Sequence, residues 1–200
     1  MSPQAVRLAG RAVLQRRGRK CLDSSDAVRH VDSMSEFRRS QQPEDADERE
    51  LTLGWLAFHR DALQAKCEGL PAEQLASRSA EPSRLSLLGL VRHMAEMERA
   101  YGSWPLGDEP DFQWVWGAYE DDAEDDIDCT ATDVEASFST WAAERSKTDL
   151  ALTGCFDLGA PSRVNRRSAR WNLAKLVGEY ARHNGHADIL RERIDGQTGE

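Results

Sequence analysis

Residues 171–194, WNLAKLVGEYARHNGHADILRERI, decide the fold. Leu173, Leu176, Val177, Tyr180, Ala187, Ile189, Leu190 and Ile194 recur at helical spacing, so the segment reads as one long helix packed on a core. Trp171, Tyr180 and Leu190 are its expected anchors. Gly196 stands where a left-handed residue ends a helix. Glu179, His183 and His186 fall at i, i+4 and i+7 and share one face. Glu179 and His183 have the spacing of two side chains that grip one metal ion from consecutive turns. The same spacing also suits a polar stripe with a Glu179–Arg182 or Glu179–His183 contact. A third ligand has to come from elsewhere in the chain, and His93 is the candidate.

His93 lies in LSLLGLVRHMAEMERA, part of a helix expected from about residue 84 to 103 and capped by Ser83. Leu87, Leu88, Val91, Met94 and Ala95 form its core stripe. His93 shares a neighbouring face with Ser86, Gly89, Leu90, Glu96, Met97 and Ala100, where small residues leave room beside the ring. Upstream, residues 47–68 repeat apolar side chains at Leu51, Trp55, Phe58, Ala62 and Cys67, until Gly69 and Pro71 stop the helix. His59, beside that stripe, reads as an edge histidine. The segment PAEQL forms a short helix or turn. Downstream, Thr132 and Glu135 form a capping box that opens a helix to about residue 150. Its apolar face is Phe138, Trp141 and Ala142, continued by the stem of Arg145. No strand-like alternation competes, so the expected fold is all-α: a four-helix bundle with a long connection between helices 2 and 3.

That connection, residues 104–130, holds ten acidic residues between Asp108 and Asp128, no basic residue, and Trp104, Phe112, Trp114, Trp116 and Tyr119. It lacks the register of a calcium loop. The acids read as a solvated surface, and the aromatics as packing over one end of the bundle.

Two hundred residues suit one domain with a sizeable core. Residues 1–46 read as a disordered N-terminal extension and residues 47–200 as the bundle. Residues 1–40 carry nine Lys or Arg and four Asp or Glu, within a chain of net charge -9. A body so acidic argues against nucleic acid as a partner. No apolar run approaches the ~18 residues of a membrane span. No secretory h-region opens the chain, so the expected location is the cytoplasm. Cys21, Cys67, Cys129 and Cys155 form no CxxC pair and read as idle thiols. Met34 offers an alternative start.

GLVRHMAEMERAY and EYARHNGHADILRERIDG resemble the two signature segments of the DinB/YfiT-like superfamily of four-helix-bundle metalloproteins. More narrowly, the chain resembles a branch of unknown function within the mycothiol-dependent DinB-like group, from about residue 48 to the C-terminus. The resemblance implies one metal-binding histidine from the second helix, which falls on His93. It implies two more ligands four residues apart on the last helix, which fall on Glu179 and His183. Mycothiol-using relatives such as maleylpyruvate isomerase are similar in carrying glutamate first in that pair. The branch commonly has a histidine about one turn before that glutamate, where this chain has Lys175.

A catalytic zinc typically takes three protein ligands and keeps one position open. The expected centre is therefore His93, Glu179 and His183, between helices two and four and open to one end of the bundle. His186 is either a fourth ligand or, with Arg182, a group that holds a substrate or a ligand side chain. No residue is assigned to an organic cofactor. His and Glu donors suit zinc first, and also nickel, iron or manganese. The resemblance implies an enzyme, a metal-dependent S-transferase or hydrolase, that activates a low-molecular-weight thiol such as mycothiol, or water, toward a small electrophile. Two rival readings remain open: a non-enzymatic metal-binding or stress-responsive bundle acting through protein partners, and a homodimer in which the bundle is only a scaffold.

Overall fold

The structure is a computed structural model that describes residues 39–107, 111–116, 126–154 and 157–198. Cys21, Cys155, Tyr119, residues 1–38 of the expected extension and residues 117–125 of the acidic run lie outside the described residues. The described chain is helical and contains no strand; its one β-bridge joins Pro161 and Ser168. No helix of the described residues is long and apolar enough to cross a membrane.

Helix α1 spans Glu48–Cys67, and the Asp47 side chain accepts from Glu50 N at 2.9 Å to cap it. Helix α2 is one turn, Ala72–Leu75. Helix α3 spans Leu87–Met97 and runs on through a π-turn, Glu98–Ser103, into the short α4, Trp104–Leu106. A 3₁₀ turn at Ala131–Asp133 leads into α5, Val134–Thr153. Helix α6 spans Ala169–Asp195 and ends at Gly196, which takes φ 80° and donates to Glu192 O. Helix α6 packs along α1 and α3, and α5 packs along α3 and the π-turn.

Core residues come chiefly from α1, α3, α5 and α6, with Leu75 from α2. Leu56 and Leu63 of α1 meet Leu87, Leu88, Leu90, Val91 and Met94 of α3, Trp141 of α5, and Leu173, Leu176, Tyr180 and Leu190 of α6. Ten of the eleven residues of α3 are buried. The exception is His93.

Several expectations shift. The buried face of α1 keeps Ala62 and Cys67 of the expected stripe and adds Leu56, Arg60, Leu63 and Lys66. Leu51, Trp55 and Phe58 are half-buried at its flank. The cause is Arg60, which is 4% exposed and points inward to the Glu98 carboxylate. Helix α3 is capped by Ser86, whose hydroxyl accepts from Gly89 N at 3.0 Å; Ser83 serves only Leu85 N. The capping box of α5 is Thr130 with Asp133, two residues before the expected pair. Helix α5 buries Ser137, Trp141, Glu144, Thr148 and Leu152, while Ala142 is exposed. The polar members are held by hydrogen bonds, so burial there does not follow hydrophobicity. On α6, Tyr180 and Leu190 anchor the core, but Ile189 is exposed and Trp171 is 41% exposed. Trp171 lies in the first turn, where it meets the Tyr101 edge and the Arg167 guanidinium rather than the interior.

The aromatics of the connection do pack. Phe112 sits between Trp104 and Trp114, and Trp114 and Trp116 lie against the core. Buried Glu96 of α3 fixes this stretch by accepting from Val115 N and Trp116 N at 2.8 and 2.9 Å.

Candidate metal centre

Helices α3 and α6 bring three donors together. One ligand atom each from His93, Glu179 and His183 lies within 4.8 Å of the others. The His93 and His183 rings meet edge to face, with centroids 4.5 Å apart. His183 Nε2 is 3.5 Å from Glu179 Oε2. Glu179 is buried and the two imidazoles are half-buried above it. His59 lies apart from this cluster, stacked on Trp55 and hydrogen-bonded by Asn184.

The donor set fits one divalent ion. Tetrahedral ligands at ~2.1 Å from an ion stand roughly 3.4 Å from one another. The His183–Glu179 separation already matches this, and the remaining closure is a side-chain adjustment.

Electrostatics also suit an ion. Burial, with the neighbouring His93 and His186 rings, pushes the His183 imidazole down to about 4, so the ring is neutral near pH 7 and keeps a lone pair. Burial pushes the Glu179 carboxyl up, but Lys175, Arg182 and His183 outweigh it and hold the group below its usual range. The Lys175 ammonium bonds Glu179 Oε1, and Arg182 Nη1 reaches Oε2 at 3.3 Å. Lys175 occupies the turn before Glu179 and also lies over the Tyr101 ring.

His186 stands outside the three-donor cluster. Its Nδ1 lies 3.3 Å from His183 Nδ1, which leaves His183 Nε2 on the Glu179 side. His186 thus touches one of the three convergent donors and is not itself among them. Asp126 escaped the sequence reading. Its Oδ2 lies 2.7 Å from His93 Nδ1, and its side chain is only 12% exposed, so the acidic run is not wholly a solvated surface. No local spacing links positions 93 and 126. Lys175 lies four residues before Glu179, a spacing that permits this ion pair, although the sequence reading gave the pair no role.

These features define a class: an all-α bundle with a His/Glu/His cluster shared by two core helices. The family model for Mycothiol-S-transferase matches residues 51–196, and the chain belongs to that family. No curated protein and no solved structure matches it.

Proposed function

We propose that the protein is a metal-dependent thiol S-transferase that joins a low-molecular-weight thiol of the mycothiol kind to a small electrophile. Two facts support the reading: the convergence of His93, Glu179 and His183 within 4.8 Å, and membership of a thiol-transferase family. These three residues would hold the ion, with zinc the first choice for this donor set. A divalent ion held there supplies a positive charge that lowers the pKa of a thiol or water beside it. Glu179 contributes one negative charge, so the centre keeps a net positive charge. Lys175 and Arg182 hold the Glu179 carboxylate through Oε1 and Oε2 respectively. His186 holds the His183 ring. A thiol substrate that must stay reduced would suit a cytoplasmic setting.

The test is metal content and thiol transfer, with and without chelator. Purified protein should carry about one divalent ion per chain. His93→Ala and His183→Ala should each lose the ion and the activity while remaining helical, and Glu179→Gln should bind it more weakly. A protein that transfers thiol equally well without metal would end the proposal.

A further inference from the structure

We infer that Asp126 is a positioning residue for the candidate metal centre: its carboxylate fixes His93 as the Nδ1–H tautomer and so reserves Nε2 for the ion. The inference rests on the metal reading above. Asp126 Oδ2 lies 2.7 Å from His93 Nδ1, and the two side chains are 12% and 14% exposed. A carboxylate only accepts, so Nδ1 is the nitrogen that carries the proton. Imidazoles that ligate metals commonly donate their other N–H to such a carboxylate, which orients the ring and raises its basicity.

The segment bearing Asp126 is held in place by the helix that bears His93 and by the loop that precedes it. Arg92 Nη1 donates to Asp128 O at 3.1 Å. The Asp128 carboxylate takes Arg78 Nη2 at 2.5 Å and lies 3.8 Å from Arg84 Nη2. The Cys129 thiol lies 3.8 Å from the Ser86 hydroxyl. One turn before His93, Gly89 leaves a gap that the backbone of Ile127 fills. A Cβ at position 89 would meet Ile127 O at 2.8 Å and Ile127 Cα at 3.2 Å. Backbone atoms cannot swing aside as a side chain can, so alanine there pushes the segment, and Asp126 with it, away from α3. The acid that meets His93 therefore sits in a built seat, with the glycine as part of it.

Three variants test this in the full chain: Asp126→Ala, Asp126→Asn and Gly89→Ala. Metal affinity is measured by competition with a chelator. The tautomer of His93 in metal-free protein is read from its ring-nitrogen chemical shifts, at a pH where the ring is neutral. Wild type should show the Nδ1–H form. Both Asp126 variants should move His93 toward the Nε2–H form and weaken metal binding about 10–100-fold, with unchanged helix content. Gly89→Ala should do the same, and the double variant Gly89→Ala/Asp126→Ala should be no weaker than Asp126→Ala alone. An Nε2–H ring in wild type overturns the inference, as does unchanged affinity in Asp126→Ala. If wild type takes up no metal, the metal reading fails. The tautomer measurement still decides whether Asp126 sets His93.

Discussion

Glu98 follows α3 at the start of the π-turn and is fully buried, yet it is an acid. Arg60 Nε and Nη2 donate to its two oxygens at 2.6 Å each, and Tyr180 donates its hydroxyl to Oε1 at 2.7 Å. Trp141 Nε1 then donates to the Tyr180 oxygen at 2.8 Å. Burial and the Glu98 charge push the Tyr180 phenol well above its usual value, so it remains a donor. Arg60 of α1 and Tyr180 of α6 thus converge on a single carboxylate, and Trp141 of α5 holds the Tyr180 hydroxyl. Tyr180 is next to Glu179, so this network also fixes the rotation of α6 that points Glu179 at His93. Removing one member of a buried pair strands the other charge. Glu98→Ala should therefore cost about 3–5 kcal/mol in urea unfolding. A loss under about 1 kcal/mol would mean that water reaches Arg60. The sequence hides this network for a physical reason. The expected stripe of α1 counted apolar residues alone, Trp55 and Phe58 among them, and left the charged Arg60 out of the core. Acidic partners 38 and 89 residues away, Glu98 and Asp149, make its burial tolerable.

At the scale of elements, the sequence located helices more firmly than it oriented them. The Gly69 and Gly196 stops and the apolar run of α3 act locally, and each survives in the structure. Caps are also local, but neighbouring Ser and Thr residues offer equal chemistry. Ser83 and Ser86, or Thr132 and Thr130, are separated only by which hydroxyl has a backbone N–H in reach once the chain is packed. Helix α5 buries Ser137, Glu144 and Thr148, so no apolar period marks its inner face. Helix α6 gives the sharpest contrast. Leu190 is 2% exposed and Ile189 is 54% exposed, although both are aliphatic neighbours in one helix. Leu190→Ala should cost about 2–5 kcal/mol, because it empties space in a packed core. Ile189→Ala should stay within about 0.5 kcal/mol. Equal costs, measured as midpoint shifts in urea, would contradict the orientation of α6.

At the scale of the whole molecule, the site depends on the fold but the fold need not depend on the site. Glu179 and His183 were legible from their i, i+4 spacing. His93 was the candidate third donor on a second helix, and the resemblance of its segment supported it, because no local rule spans the distance from α3 to α6. Asp126 was invisible for the same reason. The core of Leu56, Leu88, Met94, Leu173 and Leu176 makes no use of the three donors, so the metal-free chain should remain folded. An ion that binds only the native state nonetheless stabilises it by mass action. At zinc about 100-fold above its dissociation constant, the gain is ~2.7 kcal/mol. For a domain of this size that corresponds to roughly 5–10 °C in Tm. Chelation should reverse the shift without removing the helical signal, and His93→Ala should melt like chelated wild type with or without zinc. Deleting residues 1–33, which carry no strong apolar stripe, should leave both the chelated Tm and the zinc shift nearly unchanged. If instead chelation abolishes the helical signal, the ion belongs to the folding core, and the closed, structural type of site replaces the open one.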